Sequence, residues 1–151
     1  VLTLTNISTV TSLTELEAIT SIASLGTRLH EMLIPFEDSI ADITSGIEYA
    51  LNNSGGLGGF VLIALNDKNI VGALVMLKTN MKGYIPENLL LYVAVHESFR
   101  GRGLGTQLIT RAFSLCKGKV KLHVEHDNPA MKLYERIGFV SKYAEMRYSI
   151  E

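Results

Sequence analysis

The chain has 151 residues, of which 47% are hydrophobic and 19% charged, with a net charge of −1. That composition excludes a disordered tail or a coiled coil, and the length suffices for one well-buried core without a metal or disulfide staple. Near-neutral charge gives no general case for nucleic acid or an anionic membrane as partner.

Residues 1–151 are accordingly expected to form one domain. The longest apolar runs, 60–65 and 70–77, fall far short of the ~18 residues a membrane-spanning helix needs. The N-terminal residues are rich in Thr and Ser rather than basic and then apolar, so no signal peptide is expected. Cys116 is the one cysteine and has no partner for an internal bridge, which makes a cytoplasmic setting the default. Charge is uneven along the chain. Residues 1–75 hold two basic and eight acidic side chains, and residues 76–151 hold twelve and seven, so contacts to an anionic ligand are expected from the second half.

In chain order, near-alternation of Leu2, Leu4 and Ile7 suggests a first strand over 1–7. Ser12 followed by Glu15 reads as a capping box that opens a helix. Apolar residues from Leu13 to Leu33 then recur at helical spacing until Pro35. A second helix carries Ile40, Ile43, Ile47, Ala50 and Leu51 on one face and stops at the Asn52-Asn53-Ser54-Gly55-Gly56 run. Two apolar runs around the turn Asn66-Asp67-Lys68-Asn69 predict an antiparallel hairpin. Residues 89–95 read as a central strand covered on both faces.

A glycine-rich stretch, 100–105, leads into a helix with Leu104, Leu108, Ile109, Ala112 and Leu115 on one side. A strand over 119–124, a short helix over 128–137 and one or two closing strands over 139–150 complete the order β-α-α-β-β-β-α-β-α-β. The class is mixed α/β, with helices on both faces of a mostly antiparallel sheet.

The chemistry concentrates at Arg100-Gly101-Arg102-Gly103-Leu104-Gly105-Thr106. Glycines let the backbone turn sharply and approach a ligand, and the first amides of the following helix have no internal partners. With the positive end of the helix dipole and two guanidiniums, the stretch has the make-up of a diphosphate cradle. A plain strand-to-helix turn with surface arginines has the same composition. A Walker loop is excluded by the missing Gly-Lys-Ser/Thr end, and a dinucleotide fingerprint by spacing and position.

The stretch resembles the acyl-CoA signature Gln/Arg-x-x-Gly-x-Gly/Ala of the GNAT superfamily of N-acetyltransferases, filled by Arg100, Gly103 and Gly105. Downstream, Asn128, Ala130, Leu133, Tyr134, Gly138 and Phe139 resemble the family's Asn-x-x-Ala-x-x-Leu-Tyr-x-x-x-Gly-Phe segment. The spacing departs at one place. Only Pro129 separates Asn128 from Ala130, so the usual Asn position holds Asp127; either residue could cap the helix, and Asn128 is preferred.

The resemblance implies acetyl transfer from acetyl-CoA to a primary amine by direct attack, with no metal. It implies that the backbone of Val93, Ala94 and Val95 pairs with the pantetheine arm. Amides from Gly101 to Thr106, including those of Arg102 and Leu104, would hold the pyrophosphate. Lys132 and Arg136 could reach the 3′-phosphate or equally form a plain charged helix face. Tyr134 is then the acid that serves the departing thiolate. A base is harder to assign. His123 has a reference pKa near working pH, and Glu125, His126 and Glu97 are substitutes. His123 could equally be a hydrogen-bonded sheet residue, and Tyr134 a core-facing helix tyrosine. A non-catalytic acyl-CoA sensor of the same fold is the alternative function. A homodimer is left open, and the acceptor amine is not legible. A cluster of Glu37, Asp38 and Asp42 suggests that the acceptor is cationic.

Overall fold

The computed structural model describes residues 6–52, 55 and 57–150. Residues 1–5, where most of the expected first strand lies, and Asn53, Ser54 and Gly56 of the expected helix stop are outside the described residues. Strand β1 (Asn6–Val10) is followed by helices α1 (Leu13–Glu17), α2 (Ile22–Leu33) and α3 (Ile40–Ala50). The hairpin β2 (Gly59–Asn66) and β3 (Asn69–Lys78) comes next, then β4 (Asn88–Val95) and a single 3-10 turn at Glu97–Phe99. Helix α4 (Leu104–Leu115), strand β5 (Val120–Leu122) and helix α5 (Ala130–Ile137) complete the described elements.

The expected first helix is two helices. Ser12 caps α1 by accepting from the Glu15 amide at 3.2 Å, while Glu15 reaches back to the Thr11 amide at 2.9 Å. Both Ile19 and Thr20 then donate to the Leu16 carbonyl, which ends α1. Ser21, in an extended conformation, restarts the helix by accepting from the Ser24 amide. Ser39 caps α3 in the same way through the Asp42 amide. Each serine satisfies one amide that the helix itself leaves unpaired.

The sheet order is β1-β2-β3-β4-β5, antiparallel up to β4, with β5 parallel to β4. Alternation in β2 sends Val61 and Ile63 to one face and Phe60, Leu62 and Ala64 to the other. The first face packs against α2 and α3 through Leu25, Leu29, Ile43 and Ile47. The second packs against α4 through Leu104, Leu108, Ile109 and Ala112. Fully burying each such leucine or isoleucine contributes about 1.5–3 kcal/mol. The two helix layers therefore hold the sheet between two separate apolar clusters.

Three sequence expectations change here. Strand β4 is not covered along its whole length: Leu91, Tyr92, Val93 and Val95 are only half-buried. Its register explains why. Val75 pairs with Tyr92 but Met76 pairs with Leu90, so Leu91 is an inserted residue, and both Leu91 and Tyr92 turn toward the α2–α3 face. Pairing to β5 covers Asn88, Leu89 and Leu90 and stops at Leu90, immediately before this bulge. Bulges bend a strand and end its pairing, and β5 accordingly spans three residues rather than the expected six. No closing strand forms among the described residues of 139–150; residues 140–150 carry no regular structure and are exposed.

Candidate active site

Among the described residues no strand pairs with the β5-facing side of β4 beyond Leu90, so Val93, Ala94 and Val95 border a wedge between β4 and the chain that leaves β5. The glycine stretch follows at the Val95 end of β4. Gly103 occupies the cap position of α4 in the left-handed region, φ 81°, and no side chain caps the helix there. Its carbonyl accepts from the Gln107 amide at 3.0 Å, which starts the helix. A Cβ on Gly103 would meet nothing within 4 Å, so the space beside it is open. Gly101 is also left-handed, φ 77°, and exposed.

Gly105 has a different task. A Cβ there would lie 3.2 Å from Leu133 Cδ2, so this glycine lets α5 approach α4. Leu104 is buried in the core, while Thr106 is exposed on the first turn.

The two arginines of the loop do not act alike. Arg100 donates from Nε to the Val95 carbonyl at 2.9 Å and from a terminal nitrogen to the Met32 carbonyl at 2.8 Å. Met32 is in the last turn of α2, where carbonyls lack helical partners and a cation is favoured by the dipole. Arg100 thus ties the loop after β4 to the far helix layer. Arg102 is exposed, and its guanidinium stands 5.3 Å from the centre of the Phe99 ring.

Across the wedge, α5 presents Tyr134 and Leu133 to the α4 cluster. Tyr134 packs edge-on against Phe139, with ring centres 5.9 Å apart. Burial, together with the negative charge of Glu125, pushes its phenol up to about 12. The hydroxyl therefore keeps its proton throughout the neutral range. Asn128 caps α5 in effect, since its Oδ1 accepts from the Ala130 amide at 2.9 Å and its Nδ2 donates to Glu125 Oε1 at 3.1 Å. Asp127 is exposed in the preceding turn.

His123 is placed otherwise than the strand reading expected. The strand ends at Leu122, so His123 and Glu125 share no strand face, and both are exposed in the connecting segment. His126 lies exposed in the turn after it, and Lys132 is exposed on α5. His96 accepts from the Ser98 amide through Nδ1, and Glu97 opens the 3-10 turn. Cys116 is half-buried beside the α4 cluster, where burial raises its thiol above the ordinary range. No group of three or more metal-ligating side chains occurs among the described residues.

Sequence reasoning missed one feature on the opposite side of β4. Tyr92 donates its hydroxyl to Asp38 Oδ2 at 3.0 Å, and the Asp38 carbonyl lies 2.9 Å from His30 Nδ1. Burial and the Asp38 charge raise the Tyr92 phenol strongly, and Asp42 adds to the effect. A polar-tipped side chain within an otherwise apolar run was the available signal.

A family model described as "Acetyltransferase (GNAT) domain" matches residues 58–141, which include the hairpin, the wedge and both helices that flank it. The chain belongs to the GNAT acetyltransferase family. A 52-residue stretch of this member is 52% identical to a mycothiol acetyltransferase of Corynebacterium aurimucosum, covering 31% of the chain and 17% of that protein. A 54-residue stretch is 41% identical to the cysteine-rich protein 2-binding protein of Mus musculus, covering 35% and 7%. The chain therefore matches only a small part of the length of these relatives. An aminoglycoside N-acetyltransferase solved in complex with CoA shares the fold, with a TM-score of 0.67 and 18% identity over 97% of this chain and 95% of that one.

Proposed function

We propose that this GNAT member moves an acetyl group from acetyl-CoA to a primary amine by direct attack in a ternary complex, in a cytoplasmic setting. The observation that carries the reading is the start of α4: an uncapped helix N-terminus, open beside Gly103, next to a stretch of β4 that no described strand pairs beyond Leu90. Unpaired amides and the helix dipole suit a diphosphate, and an unpaired strand edge suits an extended amide-bearing arm. The residues present therefore fit the cosubstrate.

In this reading the Val93, Ala94 and Val95 backbone aligns the pantetheine arm, and amides from Gly101 to Thr106 receive the pyrophosphate. The hydrogen of Asn128 Nδ2 not given to Glu125 is available to the arm, and Lys132 serves the 3′-phosphate. Acetyl-CoA supplies an activated thioester. Tyr134 holds its proton at Oη and delivers it to the departing sulfur. Exposed His123 or Glu125 accepts the amine proton through water. Arg100 enters as a brace of the loop, with two of its five N–H groups given to carbonyls.

The test pairs calorimetry of acetyl-CoA binding with thiol release across a panel of amines. Tyr134→Phe is expected to keep acetyl-CoA affinity within a few-fold and to lower turnover about 10²-fold. Tight binding without turnover on any amine would favour the sensor function instead. Equal turnover by the parent and the variant would show that Tyr134 only packs.

A further inference from the structure

We propose that Glu125 is a positioning residue of this site, clamping Asn128 at the start of α5 and so fixing the place of Tyr134 at the wedge. The inference rests on the acetyl-transfer reading above, in which Tyr134 is the acid. Between the end of β5 and α5 the chain has no regular structure, and hydrogen bonds between Glu125, Asn128 and Ala130 close it upon itself. The Asn128 amide donates to the Glu125 carbonyl at 3.0 Å. Asn128 Nδ2 donates to Glu125 Oε1, and Asn128 Oδ1 accepts from the first amide of α5, that of Ala130. Both ends of the Asn128 side chain are thereby engaged, and its orientation is set by Glu125 on one side and by the helix on the other.

The helix has need of such a clamp. It spans eight residues, its cap position is Pro129 with no side-chain bond, and none of its residues is fully buried. Helices this short are marginal without outside support. Packing supplies part of it, through Leu133 at Gly105 and Tyr134 at Phe139. Those contacts begin at the fourth residue of the helix, which leaves the first three to Asn128. The carboxylate has a second effect: burial chiefly raises the Tyr134 phenol, and the Glu125 charge adds to it by opposing ionisation.

Glu125→Ala and Glu125→Gln separate the two effects. Gln retains an acceptor oxygen for Asn128 but carries no charge. In Glu125→Ala, amide exchange across α5 is expected to rise about tenfold. The Tyr134 phenol, read by ultraviolet difference titration against Tyr134→Phe, is expected to ionise at lower pH. Glu125→Gln should restore the exchange protection while leaving the phenol titration at its lowered position. Exchange unchanged in Glu125→Ala, or a Gln variant as unprotected as the Ala variant, would overturn the clamp. An unmoved phenol titration in both would overturn the coupling to Tyr134. Calorimetry of the parent with acetyl-CoA is read separately, since absent binding there overturns the acetyl-transfer reading and not the hydrogen-bonded clamp.

Discussion

Helices α4 and α5 both begin beside the wedge, yet they treat their first amides in opposite ways. At α5, Asn128 folds back onto the Ala130 amide and is itself held by Glu125. At α4, Gly103 stands at the cap with no side chain to offer. Every helix before them, α1 to α3, uses a serine for this purpose. Among the described helices, four starts are closed by side chains and the fifth is left open. In the function proposed above, the difference separates a helix end built for stability from one built for binding.

The sharpest way to break this contrast is to put a charge at the open end. Gly103→Asn and Gly103→Asp both place a residue that tolerates a left-handed backbone at φ 81°, so strain is nearly matched between them. The Asp variant is expected to weaken acetyl-CoA binding about 100-fold relative to Asn, roughly 2.7 kcal/mol by calorimetry. Equal affinities would show that the α4 amides do not meet the pyrophosphate. A β-branched residue is a poorer probe at this position, because the positive φ strains the fold before any ligand is present.

A smaller effect is expected at Arg100, which sharpens the distinction between brace and ligand. Removing the guanidinium in Arg100→Ala leaves the Met32 and Val95 carbonyls to find other partners. Stability to urea should fall by about 1–3 kcal/mol. Acetyl-CoA affinity, measured well below the transition, should change by less than threefold. A stable variant with strongly reduced affinity would return Arg100 to the phosphate site.

The smallest effect is a slope. The Tyr92 and Tyr134 phenols both ionise above their ordinary value of 10.0 in the folded protein. Between about pH 10 and pH 12 the unfolded chain has lost protons that the folded protein still holds, so folding stability must fall as pH rises there. Tyr92→Phe and Tyr134→Phe should each flatten that decline in thermal melts taken across the window. An unchanged slope in both would show that neither phenol is shifted.

The family was legible from the sequence, and the reason is local. Glycines at 103 and 105, the helix after them, and the Leu133-Tyr134 pair lie within short stretches whose spacing carries their meaning. The hairpin was equally plain, because its turn residues sit between two apolar runs. What was hidden depends on distant partners. In the run 89–95 every residue is apolar or aromatic, so an inserted residue at Leu91 leaves no break in any alternation. Arg100 reads as a surface cation until Met32, sixty-eight positions earlier, is brought beside it. Apolar spacing runs from Leu13 through Leu33 without interruption, although α1 ends at Glu17 and Ser21 begins another helix. Ala144, Met146, Tyr148 and Ile150 alternate as a strand would, yet a strand also requires a neighbour to pair with.

The extra residue in β4 also bears on how such a site can change over generations. The wedge is made by a count of residues, one more in β4 than its partner strand can match, rather than by the identity of any side chain. Point substitutions alter what lines the opening, but they leave that count untouched. Losing the opening takes a deletion in the middle of a sheet, a far rarer event and one felt by the whole core. Around a backbone fixed in this way, the side chains of the rim can drift while the opening itself persists.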